Sequence, residues 1–413
     1  MSYERWGFKK NPFETTSLSP TREGSALLVG RDNEIKKLQK RISNSSKFTT
    51  VEGLNGVGKT SLVNVAVYRK FLQDVEQSGG LLVPCNRVFQ FTGETGVESF
   101  RRDVLLAVAQ TLFEASSHLP VPAGHTKDPR LSELETWMNS PFIRSFSGGI
   151  LGAAASLSKA AGSTGFETSG VFSEIERILK SLSEANVFIV CTLDNMELLE
   201  TSDKARAALE ALRDPVLNIP GIRWVLCGAL GIMYGVASSA RLSGYLQKPL
   251  TVDDLDRRYA REIYQSRIQE YARVKGALLP LSEFDFLKLF EIFRGNLREV
   301  LSSADEFCTF ASDVQEDGGD FMNSFGTWLD DEIQAATSAV SSGLKGASKA
   351  VFLTACQKEV FSPGDHLDFG YDSPMALRPQ IKTLEDLGLL KSAKDEKDKR
   401  RKNIQAHIPQ VAR

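Results

Sequence analysis

The run Gly53-Leu54-Asn55-Gly56-Val57-Gly58-Lys59-Thr60-Ser61 constrains this chain more than any other stretch. It follows the β-prone Thr49-Thr50-Val51-Glu52 and precedes LVNVAVYRKFLQ, whose apolar residues recur with helical spacing. G-x-x-x-x-G-K-T between a strand and a helix is the setting of a phosphate-binding loop. Its glycines let the backbone curl until N–H groups face phosphate oxygens. The helix N-terminus adds a favourable dipole. Lys59 is placed to reach the β and γ phosphates, and Thr60 to hold Mg²⁺. The expected cofactors are therefore ATP and Mg²⁺. The expected contacts are Gly53, Asn55, Gly56, Val57, Gly58, Lys59, Thr60 and Ser61.

A second stretch bears on what happens to a bound nucleotide. The apolar run Val187-Phe188-Ile189-Val190 leads through Cys191-Thr192-Leu193 to Asp194, Asn195, Met196 and Glu197. It reads as a buried strand delivering an aspartate at its end. Asp194 is the natural partner of Thr60 in holding Mg²⁺. Nucleotide-hydrolysing enzymes often follow that aspartate with a glutamate that activates water. Here the next residue is Asn195, which can orient a water but cannot accept its proton. Glu197 substitutes only if the strand end bends it toward the γ-phosphate.

Strand-like runs at Phe48–Glu52, Leu81–Phe91, Val187–Leu193 and Ile222–Cys227 alternate with helical stretches near Leu62–Val75, Val97–Ser116, Phe172–Ala185 and Lys204–Leu212. That alternation predicts an α/β domain with a parallel sheet wrapped by helices. Residues 1–25 read as an extended N-terminal arm. The nucleotide-binding domain spans 26–250, with Asp32 or Asn33 capping an early amphipathic helix, IKKLQKRI. A segment rich in small residues, 147–165 within an insertion of about 145–170, interrupts it. It reads as a mobile insertion or surface hairpin, a self-assembly surface, or a membrane-touching segment. The last lacks the basic face and large apolar side chains of interfacial helices. From Leu250 onward apolar residues recur at three-and-four spacing, which predicts a helical lid over 251–315. Asp313–Asp320 reads as a polar break, and 337–413 as a small domain of its own.

The chain's 413 residues and 42% hydrophobic content suffice for two or three cores. A formal net charge of -2 makes no global demand for nucleic acid, so any such surface is local. Five scattered cysteines without a C-x-x-C pair, and four histidines without ligand spacing, predict reduced thiols and no zinc site. No apolar run approaches the roughly 18–20 residues of a membrane span, and MSYERWGFKKNPF is not a signal peptide. A cytoplasmic location is expected.

Four stretches together resemble the AAA+ ATPases. Within that group they look most like the origin-recognition initiator ATPases and their bacterial relatives, and several features are shared with STAND-type signalling ATPases. Leu28-Val29-Gly30-Arg31-Asp32-Asn33-Glu34-Ile35 matches the segment beside the adenine, which implies contacts from Gly30 and Arg31. Gly53–Ser61 is the phosphate loop. Ser238–Leu246 resembles the arginine-finger box, which implies that Arg241 reaches a neighbouring subunit's γ-phosphate; Arg213 is a rival. Gly295-Asn296-Leu297-Arg298 resembles the second-sensor motif of the lid, which implies that Arg298 contacts the γ-phosphate of its own subunit. Lys59, Asp194, Asn195, Glu197, Arg241 and Arg298 are thus the candidate catalytic set, and Thr60 with Asp194 the metal set. The chain departs from the family at Asn195 and at Cys227-Gly228, where a first-sensor polar residue is usual. Both departures remove water-orienting or proton-accepting groups and leave phosphate binding intact.

The C-terminal region reads as helix (Ser348–Lys358), polar segment, helix (Met375–Leu390) and charged hairpin, the pattern of a winged helix. Lys391, Lys394, Lys397, Lys399, Arg400, Arg401, Lys402 and Arg413 outnumber Asp395, Glu396 and Asp398 where a wing meets phosphates. Arg378, Gln380, Lys382 and Thr383 fall on the recognition helix, which Pro379 should kink or begin. The expectation is an oligomeric, slow or partner-stimulated ATPase switch associated with double-stranded DNA. The alternatives are a signalling ATPase with protein partners, in a defence or regulatory complex, and a transposition or plasmid regulator.

Overall fold

The computed structural model describes residues 2–121 apart from 45, 78, 93 and 94, then 125, 128, 129, 131, 132, 165–196, 202–229, 232–237, 239, 241–319, 324–344, 346–358, 360–387, 389–394 and 402–406. The chain divides into two units, Met1–Glu306 and Phe307–Arg413. Glu197, most of the small-residue insertion and Lys397, Lys399, Arg400, Arg401 and Arg413 lie outside the described residues.

In chain order the first unit holds α1 (Ser2–Arg5), α2 (Arg22–Leu27), α3 (Asp32–Asn44), β1 (Thr49–Gly53), α4 (Lys59–Glu76), β2 (Leu81–Gln90), α5 (Val97–Glu114), α6 (Gly165–Glu184) and β3 (Val187–Asp194). After these come α7 (Ser202–Leu212), β4 (Ile222–Gly228), α8 (Ile232–Ala237), β5 (Leu250–Val252), α9 (Ala260–Tyr271), α10 (Glu283–Ile292) and the start of α11 (Leu297–Glu316). The five strands form one sheet in the order β2-β3-β4-β1-β5, parallel throughout. Both faces are covered, as parallel sheets require. Val51, Val190 and Val225 pack with Ile35, Leu38, Leu62 and Val63 of α3 and α4 on one face. Ile189, Cys191, Trp224 and Leu226 pack with Leu105, Ile175, Leu209 and Met233 of α5–α8 on the other. With β4 between them, β1 and β3 end at the same sheet edge. Gly53 and Asp194 thus open onto the crevice where ligands of such sheets bind.

The α/β architecture follows the sequence expectation, with four differences. The three-residue β5 is too short to announce itself, so α9 starts at Ala260, after a 3₁₀ turn capped by Asp256, and not near Val252. Asp32 is the first residue of α3, and Arg31 accepts from Ile35 N in the capping position. The polar break comes later than expected, since α11 runs on to Glu316. The N-terminal arm is not a free extended strand. Phe8 and Phe13 are fully buried. Phe13 stacks on Tyr264 and Phe286 at 6.4 and 6.0 Å. Lys9 N donates to the Tyr271 carbonyl, and Arg273 N to that of Gly7. Aromatic residues spaced along a polar, proline-punctuated segment are what dock it.

The second unit joins α12 (Phe325–Gly343), α13 (Gly346–Cys356), α14 (Pro374–Asp386), β6 (Leu390–Lys394) and β7 (Lys402–Ala406). β6 and β7 pair antiparallel as a two-stranded sheet, and Phe361 makes an isolated antiparallel bridge to Ile404. Val351, Phe352, Leu377, Ile381, Leu384 and Leu390 form its core. Its order after α12 is helix, bridge, 3₁₀ turns, helix and hairpin. The polar segment before α14 folds into 3₁₀ turns over Pro363–Phe369, kinked at Asp365 and held by a capping box between Ser362 and Asp365. Pro379 lies inside α14, which starts at Pro374 behind the Ser373 cap.

Candidate functional site

The phosphate loop leaves β1 at Gly53 and turns back into α4 through Gly56 and Gly58, at φ 86° and 87°. Only glycine adopts those angles without strain. Lys59 is buried, and its Nζ donates to the carbonyls of Gly53 and Leu54, both at 3.1 Å. Thr60 Oγ1 donates to Asp194 Oδ2, so the sheet edge joins the two residues expected to hold a metal. The other carboxylate oxygen, Asp194 Oδ1, is buried without a partner. An orphaned carboxylate oxygen beside a threonine hydroxyl fits a divalent cation with oxygen ligands. The donors and the cradle therefore fit a nucleotide phosphate with Mg²⁺. Among the described residues no cluster of three or more His, Cys, Asp or Glu forms another metal site.

The lid supplies the roof. Two residues of the Gly295-Asn296-Leu297-Arg298 motif have a direct structural reason. Gly295 sits at φ 80°, and a Cβ there would lie 2.2 Å from the Leu255 carbonyl. Asn296 Nδ2 donates to the Asn55 carbonyl at 3.1 Å, clasping lid to loop. A Cβ on Gly56 would lie 2.4 Å from Asn296 Oδ1 and 2.9 Å from Arg298 Cβ. Arg298 itself is exposed and lines the cavity.

That cavity, about 270 Å³, is lined by the loop from Asn55 to Ser61, Asp194, Asn195, Arg31 and Arg298. Its apolar part comes from Leu27, Leu28, Val29, Leu255, Ile263 and Leu301. Gly53 and Gly30 flank it: Gly53 is pressed against the Val252 carbonyl and Gly30, at φ 74°, against the Tyr259 ring. Arg31 is buried with its donors engaged by Glu34, the Val57 carbonyl and the Asp253 carbonyl, so it braces the loop against the exit of β5. Asn195 holds φ 58°, a left-handed angle that asparagine tolerates better than glutamate does.

Arg241 is not part of this cavity. It lies in a turn after α8, its side chain 79% exposed and paired with Glu210 at 3.3 Å. Arg213 is held by Asp214 and lies over the Tyr245 ring. Cys227 and Gly228 are buried, and Met196 and Met233 crowd Gly228, leaving no polar side chain there.

Two contributors escaped the sequence reading. Thr15–Leu18 of the arm line the cavity, and Leu18 is tied to α4 through Ser61 Oγ and Asn64 Nδ2. Arg267 of α9 also lines it, buried, with burial pushing its guanidinium down to about 10. The signal for Arg267 was present. It occupies an inward position of an amphipathic pattern, one turn after Ile263, where an apolar residue is the norm.

On the second unit, Arg378, Lys382 and Thr383 are exposed on α14. Gln380 is turned back onto α13, accepting from Ser348 Oγ at 2.5 Å. Thr383 Oγ1 donates to the Pro379 carbonyl.

No protein-family model matches this chain, and no curated protein matches it. Among solved structures it is similar to the Aeropyrum pernix ORC2 protein in its ADP form, at 11% identity and TM-score 0.49, covering 98% of this chain and 95% of that one. The Walker-type ATPase PABY2304 of Pyrococcus abyssi is similar at 14% identity and TM-score 0.47, with 96% and 97% covered. The Aeropyrum pernix ORC1 protein in complex with DNA is similar at 15% identity and TM-score 0.40, with 94% and 93% covered.

Proposed function

We propose that this chain is an AAA+-type ATP-binding switch: it binds ATP with Mg²⁺, hydrolyses it slowly, and couples nucleotide state to assembly and to contact with double-stranded DNA. The observation that carries the nucleotide reading is the Thr60–Asp194 pair with its orphaned Oδ1, beside Lys59 and the two left-handed glycines. Thr60 and Asp194 would hold Mg²⁺, whose charge would offset the negative charge of the phosphates. On binding, Lys59 exchanges two neutral carbonyls for phosphate oxygens, a stronger charge-assisted contact. Gly56 and Gly58 let backbone N–H groups approach the same phosphates. Arg298, carried by the lid, adds a charge whose position depends on lid closure.

Two residues support slow turnover. Asn195 orients but does not deprotonate, and Gly228 offers no side chain. The exposure of Arg241 supports a role in trans, where a neighbour's nucleotide would complete the site. The exposed Arg378 and Lys382 of α14 support contact with DNA phosphates. A second reading, a protein partner at this unit, is favoured by Leu367 and Met375, which are 74% and 76% exposed.

Titration of ATP with Mg²⁺ tests the nucleotide reading. Lys59→Ala should abolish binding, and Asp194→Asn should remove its Mg²⁺-dependent part; unchanged affinity in both would overturn the site. Salt-dependent duplex affinity, reduced by Arg378→Ala with Lys382→Ala, tests the DNA contact, and a flat response would move this surface to protein.

A further inference from the structure

Two arginines in the nucleotide site are equally buried, each 4% exposed, and are treated differently by the fold. Arg31 has a carboxylate and two carbonyls. Arg267 has one carbonyl: its Nη1 donates to Pro12 at 2.8 Å, and its Nε is buried with no partner. Among the described residues Arg267 forms no ion pair. A buried charge left without its partner is strongly destabilising, by several kcal/mol. Burial accordingly lowers the guanidinium to about 10, against weaker opposing pulls from Tyr271 and Glu14. Such a group is stable in the fold when a ligand supplies the missing acceptor.

The position says which part of the ligand does so. The phosphates belong at the loop glycines, where Arg298 stands over Gly56. Arg267 stands elsewhere, on α9 one turn beyond Ile263, with Leu255 and Leu27–Val29 among the apolar residues lining the same cavity. A base seats against apolar walls, and a purine edge carries acceptors such as N7.

We propose that Arg267 is a base-reading residue, whose guanidinium, paired with no carboxylate, donates to an acceptor on the edge of a purine seated against Ile263 and Leu28. This rests on the nucleotide-site reading above. Arg267 would then discriminate among nucleobases by donor and acceptor pattern, while the Pro12 carbonyl fixes the guanidinium from the arm side.

The test compares two probes on the full chain by titration calorimetry: ATP, and inorganic tripolyphosphate, which has phosphates and no base. Arg267→Met should weaken ATP at least about tenfold, the value of one hydrogen bond to a charged donor. Tripolyphosphate affinity should stay within about twofold, because the phosphate end is untouched. Ligand-free melting temperature should hold or rise, since an unpaired buried charge has been removed. Arg267→Lys, which keeps a donor, should recover part of the ATP affinity. Equal losses for both probes, or unchanged ATP affinity, would overturn base reading. A drop in ligand-free melting with ATP affinity intact would make Arg267 a brace for Pro12 alone. A wild-type chain that binds neither probe would remove the nucleotide site and the inference with it.

Discussion

Replacing Gly56 by alanine should cost more stability than the same change at Gly58, although the two share almost the same φ, 86° and 87°. An L-residue in the left-handed region costs about 1–2 kcal/mol, and that is common to both. At Gly58 an added methyl meets nothing within 4 Å. At Gly56 it would come 2.4 Å from Asn296 Oδ1 and 2.9 Å from Arg298 Cβ. Asn296 cannot swing aside freely, because its Nδ2 is bonded to the Asn55 carbonyl and its Oδ1 faces Glu299 N at 3.5 Å. The start of α11 must move off the loop, giving up the Asn296–Asn55 bond, worth about 1 kcal/mol. Gly56→Ala should therefore exceed Gly58→Ala by about 1 kcal/mol or more. Urea denaturation of the ligand-free chain followed by circular dichroism measures the difference. Asn296→Ala should shrink the excess in a double-mutant cycle. Equal losses at both glycines, with no coupling to Asn296, would refute the clasp.

Phe13→Ala should destabilise the first unit by about 3–5 kcal/mol, the usual cost of emptying a buried phenylalanine site, read by the same denaturation; a loss under about 1 kcal/mol would mean the arm is not docked. The arm should also respond to pH. Hydrogen bonding first from Lys10, then from Tyr271, holds Glu23 below its ordinary value of 4.5. Its contribution is therefore full above that value and is lost as pH falls through the lower folded value. The protection factor of the Lys9 amide, its exchange relative to the intrinsic rate at each pH, should fall on acidification, and Glu23→Gln should remove that dependence. Asn195→Glu should cost about 1 kcal/mol more than Asn195→Asp, because aspartate tolerates the left-handed angle better; equal stabilities would show that backbone strain does not select Asn195. Arg241→Ala should leave ATP affinity intact while lowering turnover in concentrated protein, and unchanged turnover would remove it as the trans-acting charge.

The parts of this molecule that were legible in its sequence are those where one physical rule dominates locally. The glycine spacing of the loop, the apolar runs of β1–β4 and the three-and-four pattern of α10 and α11 each declare themselves. Asp194 was readable because a strand that buried must end at the sheet edge. β5 was not readable, because three residues cannot show a period, and its existence depends on pairing with β1. The docked arm depends on contacts between residues some 250 positions apart, such as Pro12 with Arg267. Gln380 was expected on the recognition helix beside Arg378, Lys382 and Thr383, but its bond to Ser348 is a tertiary fact. Asn195 shows the reverse: its identity was plain, but the left-handed backbone that suits it could be seen only in the fold.

Single-turnover ATP hydrolysis, measured alongside ATP affinity over a wide range of protein concentration, tests the central claim of a switch most directly. A switch of this kind should show tight Mg²⁺-dependent binding, very slow turnover in dilute protein, and a rate per chain that climbs with concentration and falls back in Arg241→Ala. Fast turnover in dilute protein, independent of concentration, would contradict it.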